Sequence, residues 1–250
     1  MQDNTNNLAD KVALITGGAQ RIGAVIAETL HAQGMRLVIH YHTSKQAAHT
    51  LQEKLNEIRA ESVALVQANL LDSAKAASMV HEAANIWGRL DVVINNASSF
   101  YPTPIGSISD TQWDDLMGAN LKAPFFIAQA AARPLAEHQG CIINVADIHG
   151  ERPLKSYPVY SAAKAGLIML TKALARELGP QVRVNAVAPG AIIWPESMDD
   201  VTKQRIISRV ILKRPGNPQD IATTILFLIR DAGYITGQVI AVDGGRSVTS

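Results

Sequence analysis

Seven short runs rich in branched and other apolar residues recur along the chain: KVALIT (11–16), RLVIHY (36–41), SVALVQA (62–68), LDVVIN (90–95), CIINVA (141–146), VRVNAV (182–187) and QVIAV (238–242). Longer stretches with helical spacing of apolar residues fill the gaps, among them AVIAETLHAQ after the first run and YSAAKAGLIMLTKALARELG before the sixth. The short runs are apolar throughout instead of alternating, so both of their faces are buried. A parallel sheet with helices on each side meets that demand. The pattern predicts an α/β fold, doubly wound around a mostly parallel seven-stranded sheet. No Pro- or Gly-rich linker divides it, so residues 10–250 read as one domain behind a flexible polar leader, 1–9, with a covering segment at about 192–214.

Composition narrows the classes. The 250 residues are 47% hydrophobic, enough for a sizeable core. Lys and Arg number 23 against 22 Asp and Glu, so no global field draws the chain to nucleic acid or to an anionic membrane, and a charged ligand has to be held locally. No apolar run approaches the roughly 18 residues that span a bilayer, and the polar start lacks the apolar core of a secretory signal. A soluble, cytoplasmic protein is expected. Cys141, the single cysteine, lies inside an apolar run and reads as a small core residue in a reducing compartment. No His, Cys, Asp and Glu have metal-ligand spacing, so no metal is expected.

In a sheet of this kind ligands bind beyond the carboxyl ends of the strands, so the segments that follow each run carry the chemistry. After the first comes TGGAQRIG: Gly17 allows a tight turn, and Gly23 lets the following helix pack closely while its N-terminus faces a pyrophosphate. A carboxylate after the second run would bond the free ribose 2′-hydroxyl of NAD. None lies between Glu28 and Glu53, whereas Arg21, His40, His42, Ser44 and Lys45 offer donors or charge, which favours NADPH.

Tyr160 and Lys164 stand four residues apart on a helical pattern and so share one face. A phenol has a pKa of about 10, and a neighbouring ammonium lowers it toward useful acid–base chemistry. Asp147 in VADIHG follows the fifth strand, where a carboxylate either caps a turn or takes part in proton transfer.

With these residues assembled, TGxxxxIG at 16–23, NNAS at 95–98, Asn120, YSAAK at 160–164 and APG at 188–190 resemble the short-chain dehydrogenases/reductases over nearly the whole chain. The resemblance implies a Rossmann-type domain in which Tyr160 delivers a proton, Lys164 binds the nicotinamide ribose, and Asn120 helps hold a water linked to Lys164. It places NADPH on Gly17, Arg21, Ile22 and Gly23, on His40, Tyr41, His42 and Ser44, and on Asn69 and Leu70. It adds Asn96, Ala97 and Ser98, Pro189 and Gly190, and Tyr160 with Lys164. Two departures stand out: Arg21 replaces the usual middle glycine of the turn, and Asp147 replaces the hydroxyl residue thirteen positions before the tyrosine.

Both departures resemble the pteridine reductases, as do HYHTS (40–44), NASSFYPTP (96–104), Tyr157 and the closing YITGQVIAVDGG. Thr43 departs from that subfamily, standing where an arginine is frequent. The subfamily resemblance implies that Asp147 and Tyr160 protonate a ring nitrogen of a dihydropteridine such as dihydrobiopterin or dihydromonapterin, with dihydrofolate a further substrate. Phe100 would stack on the ring, with Arg21, Ser98 and Tyr157 at its edge. It also implies a homotetramer paired through the long helices around 109–135 and 156–178.

Two rival functions compete: a carbonyl reductase of 3-oxoacyl thioesters on the same scaffold, and an NADPH-binding sensor without turnover. Asp147 and Phe100 disfavour the first, and the complete set Asn120, Tyr160 and Lys164 disfavours the second. Trp87 reads as a packing residue, Trp113 as packing or an intersubunit contact, Trp194 as part of the pocket or an anchor of its cover, and His31, His81 and His138 as surface residues.

Overall fold

The computed structural model describes residues 7–194 and 198–249. Residues 1–6 of the expected leader and 195–197 of the expected cover lie outside the described residues. The strands are β1 (Val12–Ile15), β2 (Arg36–Tyr41), β3 (Val63–Gln67), β4 (Val92–Asn95), β5 (Cys141–Val145), β6 (Arg183–Pro189) and β7 (Val239–Val242). They form one sheet in the order β3-β2-β1-β4-β5-β6-β7, with every pairing parallel.

Alternation along each strand divides the core into two layers. Ala13 and Ile15 of β1, with Leu37, Ile39, Ile94 and Ile143, face α1 (Arg21–Ala32), α2 (Lys45–Ile58) and α8 (Pro218–Arg230). Val12 and Leu14, with Val38, Val93, Ile142 and Val184, face α3 (Ser73–Ile86), α5 (Ala123–Glu137) and α6 (Pro158–Leu178). That two-sided burial is why the strand runs carry no polar alternation. Cys141 is buried among them, and burial pushes its thiol above the ordinary range, which keeps it protonated and inert.

Strand order reverses between β1 and β4, since β2 and β3 run off to one side and β5 to β7 to the other. The crevice at that reversal receives the loops after β1, β4 and β5. One further helix, α4 (Asp110–Met117), closes the far side of the β4 loop, opened by a capping box of Ser109 and Gln112. The segment after β6 contains α7 (Asp200–Ser208), which buries none of its residues; Ile192 and Val210 on either side of it are buried.

One surface expectation fails. His31 is only 4% exposed, because Ser62 at the start of β3 presents its hydroxyl 2.8 Å from the ring Nε2. Its polar neighbours in sequence concealed a partner that arrives from another strand. His81 and His138 are exposed, and Trp87 packs at the end of α3 under the Arg36 guanidinium. Among the described residues no helix is long and apolar enough to cross a membrane, and no group of three or more His, Cys, Asp or Glu could hold a metal ion.

Candidate active site

The turn after β1 is built by close approach. Gly17 adopts φ +59°, and a Cβ there would lie 3.0 Å from the Ala97 Cα; one on Gly23 would lie 2.3 Å from the Gly17 carbonyl oxygen. No side chain fits at either place. The Thr16 hydroxyl accepts from the Asn96 and Ala97 amides at 3.0 Å each, and the Asn96 side-chain amide donates to the Thr16 and Gly17 carbonyls at 3.0 Å. Arg21, where the family carries glycine, keeps the left-handed backbone with φ +54° and leaves its side chain exposed. The α1 N-terminus has no side-chain cap and no acid in its first turn, so its amides remain donors for an anion. These are the requirements of a dinucleotide pyrophosphate, and the residues present fit it.

His40 is used internally. The ring is 2% exposed; Nδ1 accepts from the Gly17 amide at 3.1 Å, and Nε2 donates to the Ala68 carbonyl at 3.1 Å. Burial, the leading cause, holds its pKa down to about 4, so at neutral pH the ring is uncharged, as a side chain that accepts on one nitrogen and donates on the other must be. Tyr41 beside it is packed in the core. His42 is exposed, and Ser44 is half-buried with its hydroxyl 3.3 Å from Gln20 Oε1. Asn69 Oδ1 accepts from the Leu71 amide at 3.1 Å, and Leu70 packs against the core. At the other end of the crevice Pro189 is buried, and Gly190 passes so close to Asp243 that a Cβ would lie 2.7 Å from its Cα.

Beyond the turn, the structure gathers Asp147, Tyr160, Lys164, Asn120, Ser98, Phe100 and Tyr157. Pro158 opens α6, which puts Tyr160 in the first turn and Lys164 one turn on. The Tyr160 hydroxyl donates to Asp147 Oδ2 at 2.7 Å, while Oδ1 accepts from the His149 amide at 2.8 Å. The carboxylate therefore does both things its position allows, capping the turn after β5 with one oxygen and meeting the tyrosine with the other.

Lys164 is 2% exposed and donates to the Val145 carbonyl at 2.9 Å; its ammonium lies 5.7 Å from the Tyr160 ring centroid. Burial lowers its pKa to about 8, opposed by the charge of Asp147. The expected lowering of the phenol by Lys164 does not occur here. Burial first, and the Asp147 carboxylate second, push Tyr160 well above the ordinary tyrosine range. Tyr160 is thus held protonated, its hydroxyl donating to Asp147, and is not a standing phenolate.

Asn120 lies in a π-turn, Gly118–Lys122, that joins α4 to α5. The wider turn frees the Leu116 carbonyl, which accepts from the Asn120 side-chain Nδ2 at 2.9 Å. The same amide donates to the Ser99 carbonyl at 2.9 Å, and Asn120 Oδ1 accepts from the Ser98 hydroxyl at 2.7 Å. Phe100 stacks on Tyr157, with centroids 4.7 Å apart and planes at 16°, and meets Tyr160 edge-on at 4.8 Å. Residue 100 is nevertheless 46% exposed.

A family profile described as Enoyl-(Acyl carrier protein) reductase matches residues 17–247, from the phosphate turn to the C-terminal turn. The chain belongs to the short-chain dehydrogenase/reductase family. It is an oxidoreductase of that family, and NAD(P)(H) is the cofactor that membership implies. It is 37% identical over 279 aligned residues to Pteridine reductase 1 of Leishmania tarentolae, covering 95% of this chain and 96% of that one. It is also 37% identical over 240 residues to the 3-oxoacyl-[acyl-carrier-protein] reductase FabG of Staphylococcus aureus, covering 94% and 97%. A 3-oxoacyl-[acyl-carrier-protein] reductase of Synechocystis is 35% identical over 242 residues, covering 95% and 97%. Overall identity does not separate the two activities, so the substrate has to be argued from the site.

Sequence reasoning missed several members of this short-chain reductase site. Thr16 closes the first apolar run, and its hydroxyl ties the β4 loop to the phosphate turn. Asp115 on α4 accepts from Ser99 and Tyr101 on either side of Phe100. Asn95, Asn144 and Thr171 form a buried hydrogen-bonded chain across β4, β5 and α6. The strand positions of Asn95 and Asn144 were the available signal, since a buried amide needs a partner.

Proposed function

We propose that this enzyme reduces dihydropteridines, dihydrobiopterin or dihydromonapterin and with them dihydrofolate, to their tetrahydro forms with NADPH. The observation that carries the reading is the 2.7 Å bond between the Tyr160 hydroxyl and Asp147. A ketone needs a neutral donor on its oxygen, which a serine supplies. A pteridine offers ring nitrogens and an amino group, for which a carboxyl that can accept, donate or pass a proton is suited. The half-exposed aromatic face of Phe100 beside that pair suits a flat ring.

NADPH, when bound, supplies the hydride. The turn from Gly17 to Gly23, with the Arg21 guanidinium, would hold its pyrophosphate; His42 and Ser44 would meet the 2′-phosphate, where no carboxylate stands to repel it. Asn69 and Leu70 would border the adenine, and Asn96, Ala97, Ser98, Pro189, Gly190 and Lys164 the nicotinamide end. His40 and Tyr41 would serve by shaping the turn and strand.

Asp147 orients the substrate by hydrogen bonds to the ring nitrogen and amino group. Tyr160, kept protonated by burial and by the neighbouring carboxylate, passes its proton through Asp147 to the ring nitrogen. Lys164 then faces a phenolate and favours it by charge. Arg21, Ser98 and Tyr157 would border the substrate edge. The protein would act in the cytoplasm as a homotetramer, with Phe125 and Met169, exposed on α5 and α6, covered between subunits.

The equal identity to FabG favours one alternative, reduction of 3-oxoacyl thioesters. Anaerobic NADPH oxidation with dihydrobiopterin, set beside acetoacetyl thioester at matched concentration, separates them. Rapid oxidation with the pteridine alone is the expected result; oxidation with the thioester alone contradicts it.

A further inference from the structure

We infer that Asp115 is a positioning residue that fixes Phe100 against the substrate, an inference that rests on the reading of Phe100 as the stacking platform for a flat ring. The loop from Asn96 to Pro104 has no regular secondary structure, so its shape depends on side-chain and isolated backbone bonds. An aromatic ring 46% exposed gains little from burial, and its place must be set by its neighbours in the chain.

Those neighbours are tied. The Ser99 hydroxyl lies 3.3 Å from Asp115 Oδ1, and the Tyr101 hydroxyl donates to Asp115 Oδ2 at 2.9 Å. One carboxylate thus clasps the residues on both sides of Phe100. Asn120 in the π-turn donates to the Ser99 carbonyl and accepts from the Ser98 hydroxyl, and the Thr103 amide donates to the Ser156 carbonyl at 2.7 Å, just ahead of Tyr157. Phe100 sits in the middle of this frame, and its ring leans on Tyr157. Asp115 itself meets no reacting group. Its effect on the reaction runs through the loop, and a ring displaced along Tyr157 would stack less well on the pteridine and weaken its binding. Asp114, the next residue on the same helix, is exposed and supplies a control of equal charge.

The test compares Asp115→Ala, Asp115→Asn and Asp114→Ala by steady-state kinetics with dihydrobiopterin, NADPH affinity by fluorescence, and amide hydrogen exchange over residues 98–104. Asp115→Ala is expected to raise the KM for the pteridine about tenfold, the size of one hydrogen bond to a charged group. The turnover number and NADPH affinity should stay within about twofold. Exchange over 98–104 should quicken, Asp115→Asn, which keeps one acceptor, should fall between, and Asp114→Ala should match the wild type. Unchanged KM and exchange in Asp115→Ala overturn the inference. If that variant fails to fold, Ser99→Ala with Tyr101→Phe removes the donors and leaves the carboxylate, with the same outcomes decisive. If the wild type reduces no pteridine, quicker exchange in Asp115→Ala upholds the clasp while the substrate reading falls; unchanged exchange overturns the clasp by itself.

Discussion

The phosphate turn and the Phe100 loop leave neighbouring strands of one sheet, yet they are built differently. The turn is held from every side: Thr16 and Asn96 bind it to β4, His40 binds it to β2 and β3, and glycines bring backbone to backbone. The Phe100 loop depends on a few side-chain bonds, and helix α7 buries none of its residues. NAD and NADP carry the same pyrophosphate, so a cradle for it can be rigid and fully specified. The two curated relatives of equal identity are named for different substrates, and on the reading proposed above the loop that would meet the substrate rests on fewer contacts.

Three changes break or sharpen this contrast. Tyr160→Phe should have the largest effect, lowering the turnover number by about 10²–10⁴-fold, the worth of a positioned proton donor, with NADPH affinity preserved. In the wild-type enzyme the Lys164 pKa of about 8 sets the direction of the pH profile. The ammonium is present below that value and lost above it, so kcat/KM should fall as pH rises through about 8. Stopped-flow and steady-state assays across pH check both.

His40→Ala strikes the rigid half. It orphans the Gly17 amide and the Ala68 carbonyl, and should destabilise the fold by roughly 2–4 kcal/mol while weakening NADPH binding. The wild-type pH dependence follows from the same ring. An unfolded histidine protonates near 6.5 and the folded one near 4, so between these values the unfolded chain binds the extra proton and stability is lost as pH falls. The full loss is on the order of 3 kcal/mol, and below about 4 this contribution levels off. Urea unfolding of both proteins from pH 7 to 4 should show that part of the slope only in the wild type.

Arg21→Gly is the smallest change and has opposite signs. Relief of the left-handed backbone should stabilise the fold by about 1 kcal/mol, and loss of the guanidinium should weaken NADPH preference over NADH and raise the pteridine KM. A lower melting temperature, or unchanged kinetics, would count against the role given to this residue.

The sheet was legible because parallel strands buried on both faces leave unbroken apolar runs, and each predicted run contains its strand or overlaps most of it. Tyr160 and Lys164 were legible because helical spacing alone puts them on one face. His40 was not, since its partners, Gly17 and Ala68, come from other loops and a histidine after β2 reads equally well as a phosphate donor. The π-turn at Asn120 leaves no periodic signal within an apolar helix of this length. In sequence nothing separates Asp115 from its neighbour Asp114, and only the β4 loop folding back onto α4 tells them apart.

The account turns on Asp147, and Asp147→Ser tests it most directly through the ratio of kcat/KM for dihydrobiopterin to that for acetoacetyl thioester. If the carboxyl serves a ring nitrogen, the ratio should collapse by about 100-fold or more while NADPH affinity stays unchanged. An unchanged ratio, with both activities and cofactor binding falling together, would make Asp147 a turn cap alone and contradict the pteridine reading.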